Sequence, residues 1–280
     1  MEPRSHNTPT IVSTANNRVK WFRNLRERRG REAEGAFLVE GPRALAEALR
    51  AGAMPSAVLY SLELSERYPY VAGVLQRVPP DSLVFAATEP VLQSVGDAAT
   101  TQGIVAAFAL PGVPSLSFQA DTSLVLVLDR LRDPGNVGTL LRSAAAAGAD
   151  AVLLSLGCAD PYSPKVVRSS AGGVFAVQHA VLPWVDIKTL LEVLPRRYAA
   201  DAAGRRVYYQ AELREGCAIL IGNEADGLSP EALDLATEVV SIPMANGFES
   251  LNAGVAGSLL LFEARKQRQQ SVDGVADAPR

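Results

Sequence analysis

Three short segments of this 280-residue chain hold more polar side chains than turns between buried elements require. DPGNVGTLLRSAAAAG carries Asn136 and Arg142, GNEADG carries Glu224, and SIPMANGFESLNAG carries Asn246, Glu249, Ser250 and Asn252. A guanidinium that stays protonated, set among amide and hydroxyl groups, is suited to stabilising negative charge that grows on an attacking oxygen. Such chemistry depends on placing reactants rather than on a metal or an imidazole. The other reactive side chains are sparse: His6 lies in a polar tail and His179 in an apolar stretch, while Cys158 and Cys217 are too far apart for a close-spaced metal motif. Each polar residue also has a plainer reading. Arg142 fits an exposed helical arginine, Asn136 an Asx turn, Glu224 a solvated loop carboxylate, and Ser250 or Asn252 a helix N-cap.

Elements must carry these side chains together, and each segment follows an apolar run. SLVLVLD (123–129) and CAILIG (217–222) read as strands buried on both faces, and EVVSIP (238–243) precedes the third segment. VGTLLRSAAAAG reads as a helix ending at Gly148, VDIKTLLEVL as another, and SPEALDLA as a third with Ser229 as N-cap and Pro230 in its first turn. AVLLSL and VFAVQ read as strands, RRYAADA as a strand end, and residues 165–170 as a short helix. The alternation predicts an α/β domain with a mainly parallel sheet, helices on both faces, and a site at the carboxyl ends of the strands. The commonest occupants of such a site are excluded by motif. Gly135 and Gly138 do not make G-x-G-x-x-G, and neither G-K-[ST] nor G-x-S-x-G occurs.

Ahead of that domain, AFLVEGPRALAEALRAG reads as strand, turn and helix, with Pro42 in the first turn and Gly52 as a stop. SAVLYS, SLVFAA and GIVAAFAL add strands, and TEPVLQSVGD a short helix. The expected organisation is a tail over 1–12, a small α/β domain over 13–110, a Pro- and Ser-rich linker over 111–122, the second domain over 123–268 and a tail over 269–280. The net charge of −3 gives no global sign of a polyanionic partner, but NRVKWFRNLRERRGR does: a basic helix over 16–30 bearing Arg18, Lys20, Arg23 and Arg26 is suited to phosphate contacts, or is a solvated face. With 48% apolar and 20% charged residues the composition is that of a soluble globular protein. No run approaches a membrane span and the N-terminus lacks an apolar leader, so a cytoplasmic location is expected.

In order and content the three segments resemble the signature motifs of the SpoU, or TrmH-like, family of RNA ribose 2′-O-methyltransferases in the SPOUT superfamily. DPYSPKVVRSSAGGVF (160–175) and AADAAG (199–204) look like further family segments, and the likeness covers 123–268. The part around AFLVEGPRALAEAL resembles, more loosely, the ribosomal-protein-like substrate-binding domain that many members carry. The resemblance implies a deep trefoil knot, where general topology rules predict an unknotted sheet. It also implies a homodimer with sites near the subunit interface, S-adenosylmethionine as cofactor, and no metal. The implied reaction is 2′-O-methylation of ribose in structured RNA, 23S ribosomal RNA ahead of tRNA; the alternative is a catalytically silent RNA-binding or assembly protein with the same fold. Within the family pattern Arg142 is catalytic, and as a lasting cation it suits an electrostatic clamp better than a base. Asn136 orders the site around it, Glu224 orients, and Ser250 and Asn252 hold substrate and cofactor. Gly222, Ile242, Met244 and Leu251 are implied donor contacts, Gly222 by allowing close main-chain approach. Gly254, Ala256, Gly257 and Ser258 would let backbones approach the last helix.

Overall fold

The computed structural model describes residues 10–98, 100–246 and 248–276. His6 and the expected tail residues 1–9 and 277–280 lie outside the described residues. The chain divides into two compact units. The first ends at Gly112 and also takes in Tyr162–Phe175; the second holds Val113–Pro161 and resumes at Ala176.

The first unit opens with α1 (Asn17–Asn24) and α2 (Arg28–Glu34), followed by β1 (Ala36–Glu40), α3 (Pro42–Arg50), β2 (Pro55–Ser61), α4 (Leu62–Arg67), α5 (Pro69–Leu75), β3 (Leu83–Ala87), α6 (Glu89–Val95) and β4 (Ile104–Ala109). The sheet order is β1-β4-β2-β3, with β4 antiparallel to both neighbours and β2 parallel to β3. Strand alternation sends Leu38, Leu59 and Val105 toward α1 and α6, and Phe37, Val58, Ala106 and Phe108 toward α3 and α5. Phe175, from the returning segment, packs on Phe37 and Phe108 with ring centroids 5.8 and 5.1 Å away.

Two expectations fail here. The single basic helix over 16–30 is two helices, because the 3%-exposed Arg31 turns back and donates from Nη1 to the carbonyls of Leu25 and Arg26 at 3.1 and 2.6 Å. An arginine spent on the open carbonyls past α1 closes that helix instead of prolonging it. The N-terminal tail also ends earlier than 12. Buried Ile11 forms a parallel bridge to Ala87, its N–H donating to the Ala86 carbonyl at 2.8 Å.

The second unit contains β5 (Leu124–Leu128), α7 (Pro134–Ala147), β6 (Ala151–Ser155), β7 (Gln178–Leu182), α10 (Trp184–Leu191), β8 (Arg196–Ala200), β9 (Arg206–Val207), β10 (Cys217–Ile221), α11 (Pro230–Leu235), β11 (Glu238–Ser241) and α12 (Ala253–Ala276). Helix α8 (Pro164–Ser170) and all but the last residue of α9 (Gly173–Ala176) fall in the segment returned to the first unit. All pairings are parallel, in the order β7-β6-β5-β10-β8-β11-β9. The five residues of β5 and of β10 are all buried, as strands covered on both faces must be. Val125, Val127, Ala218 and Leu220 face Ile187 and Leu191 of α10 and Ala232 of α11. On the other face α12 packs along α7 and β10. Gly257 makes that approach close: a Cβ there would stand 2.5 Å from Leu140 Cδ2 and 3.2 Å from Ile221 Cγ1.

Further corrections concern boundaries. VFAVQ is not a strand: residues 173–176 form α9 and pairing begins at Gln178, because Val174 and Phe175 are held in the core of the first unit. Helix α12 runs through residues 269–276, expected as tail. Helix α7 starts at Pro134 rather than Val137. The Asp133 carboxylate caps it by accepting from the Asn136 N–H at 2.9 Å, so Asn136 lies in the first helical turn and closes no Asx turn. Among the described residues no helix is long and apolar enough to cross a membrane.

Candidate active site

A cavity of about 430 Å³ opens at the carboxyl ends of β8, β10 and β11. Its apolar wall includes Ile221, Val240, Ile242, Met244 and Leu251; its polar wall includes Asn223, Glu224, Ser250 and Asn252. Gly222 lies on it too, so the four expected donor contacts line one space with three of the expected polar residues. Parallel strands reach this edge in register, Ile221 opposite Ala200 on one side and Leu128 on the other, which is how loops far apart in sequence arrive together.

Each loop is braced by its own chemistry. Asn252 is the N-cap of α12: its Oδ1 accepts from the Val255 N–H at 3.2 Å and its carbonyl from the Ala256 N–H at 2.9 Å. Ser250 is exposed on the cavity wall. Asn136 does not line the cavity, but its Nδ2 donates to the Glu224 carboxylate in a short bond that joins the first segment to the second. A Cβ on Gly254 would lie 3.1 Å from both Asn136 Oδ1 and Asn252 Oδ1, so the two amides flank the same glycine. Gly222 also serves its own loop. A Cβ there would strike Gly227 C at 2.5 Å and Leu228 N at 2.6 Å, so the glycine lets its own loop fold back on itself.

Arg142 is the residue that this chain does not bring in. With α7 beginning at Pro134 it sits in the third turn, exposed, and off the cavity wall. It stands six residues beyond Asn136, about 9 Å along the axis and roughly 120° around it. Ser143, next to it, faces α12 through a 2.7 Å bond to Ser258.

The cysteine and histidine side chains of this unit are poor reagents. Burial pushes the thiols of Cys158 and Cys217 up to about 11 and holds His179 below its ordinary value. Among the described lining residues the charged ones are Asp201, Glu224 and Glu249, so the cavity favours a cationic guest. Sequence reading missed Asn223 and Asp201. Asn223 was visible inside GNEADG, and Asp201 stands just past the end of β8, at the sheet edge where ligands bind.

The expected RNA contacts lie in the first unit. Lys20 and Arg23 are exposed, Arg23 donating to the Thr14 carbonyl at 3.1 Å. Arg18 lies over the Phe85 ring at 4.1 Å, and Arg26 is 3.8 Å from Asp97.

A parallel α/β sheet with a cavity walled by the second and third segments, to which the first is tied through Asn136, defines the class, and the family comparison agrees: residues 123–262 match the SpoU rRNA methylase family, and the chain belongs to it. Residues 16–106 match the MRM3-like substrate binding domain. Among curated relatives, rRNA methyltransferase 3A, mitochondrial, of Danio rerio is 34% identical over 86% of this chain and 66% of its own. A 23S rRNA (uridine(2479)-2′-O)-methyltransferase of Streptomyces viridochromogenes is 30% identical over 95% of this chain and 96% of its own. The crystal structure of the SpoU methyltransferase AviRb from Streptomyces viridochromogenes in complex with the cofactor AdoMet aligns with a TM-score of 0.78 at 30% identity, covering 91% of this chain and 98% of that one.

Proposed function

We propose that this protein transfers a methyl group from S-adenosylmethionine to a ribose 2′-hydroxyl of ribosomal RNA, 23S rRNA in the first place, in the cytoplasm. The observation that carries the reading is the convergence of Gly222, Glu224, Ile242, Met244, Ser250, Leu251 and Asn252 on one cavity, with Asn136 tied to Glu224. The residues present fit the donor. Its volume falls within the usual range for small-molecule sites, roughly 300–1,000 Å³; the apolar wall suits an adenine, and the carboxylates suit a sulfonium and an ammonium group. When bound, S-adenosylmethionine supplies an electrophilic methyl on a cationic sulfur.

The chain's own residues then hold and orient. Asn136 fixes the Glu224 carboxylate, and Asn252 fixes the entry to α12, so both loops keep their places as a substrate arrives. Arg142 is the proposed clamp on substrate phosphate and on negative charge growing at the 2′-oxygen; a guanidinium keeps its proton and does not serve as base. Its exposed position on α7 suits a site completed when two copies meet. The same helix pair supports a homodimer: Val255, Leu259 and Phe262 are 48%, 38% and 47% exposed at i, i+4 and i+7 of α12, an apolar stripe of the kind that marks an interface. The trefoil knot is part of this proposal, and the close seating of α12 on Leu140 and Ile221 at Gly257 supports it. Arg18, Lys20, Arg23 and Arg26 are the proposed RNA contacts of the first unit. The substrate named for the Streptomyces relative, and the match to a substrate-binding domain, favour rRNA over tRNA.

The test is incubation with methyl-labelled donor and separate rRNA and tRNA pools, followed by mapping of the modified ribose. Label is expected in 23S rRNA, and Arg142→Lys should lower turnover about 100-fold or more with donor affinity kept. Label in tRNA alone would overturn the rRNA assignment. Label in neither pool, with donor bound, would make the protein a silent RNA binder.

A further inference from the structure

The backbone of β5 runs straight into a buried carboxylate. Asp129 has no solvent exposure, and an ion in such a place is tolerated only when its oxygens are hydrogen-bonded. Its Oδ2 accepts from the Ser229 N–H at 2.6 Å, and its Oδ1 accepts from Ser155 Oγ at 3.1 Å and lies 3.5 Å from Arg130 Nε. These partners come from three stretches: the entry to α11, the end of β6 and the turn after β5 itself.

The contacts continue as a relay. Ser155 Oγ also accepts from the Arg130 N–H at 2.9 Å, which helps hold Arg130 at φ 51°, a left-handed conformation uncommon for a residue with a side chain. In that turn the Arg130 carbonyl accepts from Asn223 Nδ2 at 2.8 Å. Buried Asn223 then governs the loop after β10. Its backbone and that of Gly227 exchange bonds of 3.0 and 2.9 Å, and its Oδ1 accepts from the Ala225 and Asp226 N–H groups at 2.9 and 3.3 Å. The segment from Asn223 to Ser229 is thereby tied at one end through Arg130 and at the other directly to Asp129. Gly222, Asn223, Glu224 and Gly227, all on the cavity wall, ride on it.

We propose that Asp129, acting through Arg130 and Asn223, is a positioning residue that sets the Gly222–Gly227 wall of the donor cavity and so determines donor affinity. The inference rests on the reading that this cavity takes S-adenosylmethionine. The β5 ladders to β6 and β10 are complete without the carboxylate, so the sheet itself does not call for an acid at this point.

Asp129→Asn keeps the shape and removes acceptor capacity; Asn223→Asp keeps the Oδ1 acceptor and removes the donor to Arg130. Calorimetric titration of the folded full chain with S-adenosylmethionine should show Kd raised about tenfold for each. The double variant should be little worse than the poorer single, because both break one relay. KM for RNA should stay within twofold. Ser155→Ala, with a rise of about threefold, provides the measurement if Asp129→Asn does not fold. A lowered thermal midpoint with donor Kd unchanged would make Asp129 a fold staple only and overturn the proposal. A wild-type chain that does not take up S-adenosylmethionine would overturn the donor reading instead.

Discussion

Alanine at Gly222 separates two reasons for having a glycine at the cavity wall. If the glycine serves only to admit a ligand, the ligand-free protein should be indifferent to an added methyl. The structure predicts otherwise, because the new Cβ would stand 2.5 Å from Gly227 C, 2.6 Å from Gly227 O and 2.6 Å from Leu228 N, all backbone. Ordinary contact begins at 3.4 Å, so the loop must retreat by about 0.9 Å against bonds that Asn223 and Gly227 make to each other. Overpacking of this kind costs about 1–3 kcal/mol. Whatever share the fold absorbs lowers the thermal midpoint by about 2–4 °C per kcal/mol in a domain of this size. The share absorbed by loop displacement appears in donor Kd, where the full 1–3 kcal/mol corresponds to about 5- to 140-fold. The assay pairs thermal unfolding without donor and calorimetric titration with S-adenosylmethionine. Gly73→Ala is the control: it lies in α5 with nothing within 4 Å, so alanine should stabilise by about 0.5–1 kcal/mol. A Gly222→Ala protein with both its midpoint in the absence of donor and its donor affinity unchanged would refute the loop-closing argument.

Phe262→Glu puts a charge at the C-terminal end of the apolar stripe on α12 and should convert a dimer to monomers in sedimentation with loss of methyl transfer; a wild-type monomer, or a variant that stays dimeric, would count against the stripe as interface. His179 gives a pH signature. Burial holds its folded-state pKa below the ordinary value, so as pH falls the unfolded chain takes the proton first. Its contribution is full above about 6.5, declines as pH drops toward the folded-state value and is level beneath it. Urea midpoints should therefore fall less between pH 7.5 and 5.5 in His179→Gln than in the parent, and equal slopes would exclude the imidazole as a cause.

Much of the second unit was legible because its signals are local. The unbroken apolar runs of β5 and β10, Ser229 accepting from the Ala232 N–H at 3.3 Å, and Gly148 at φ 79° all carry their reason within a few residues. The family motifs supplied the cavity residues, which periodicity alone would have left as core. Errors came where distant groups decide. Val174 and Phe175 look like strand residues, yet a buried helix has the same composition, and their fate was set by Phe37 and Phe108 far away in sequence. Arg31 was counted as part of a charged surface because nothing local says that its guanidinium will close α1. The start of α7 lies three residues ahead of VGTLLRSAAAAG because Asp133 caps it, so Arg142 stands further along the helix than that reading puts it.

The excursion of residues 162–175 carries a consequence for biosynthesis. The first unit is not finished when the ribosome passes Gly112, since Val167, Val174 and Phe175 belong to its interior and are translated only after a further 63 residues. At bacterial-type elongation rates that interval is roughly 3–13 s. Throughout it the ring faces of Phe37 and Phe108 lack their last neighbour, so the core of the nascent first unit stays incomplete until a stretch that interrupts the second has emerged. Swapping either half for that of a relative must therefore exchange two stretches of gene rather than one.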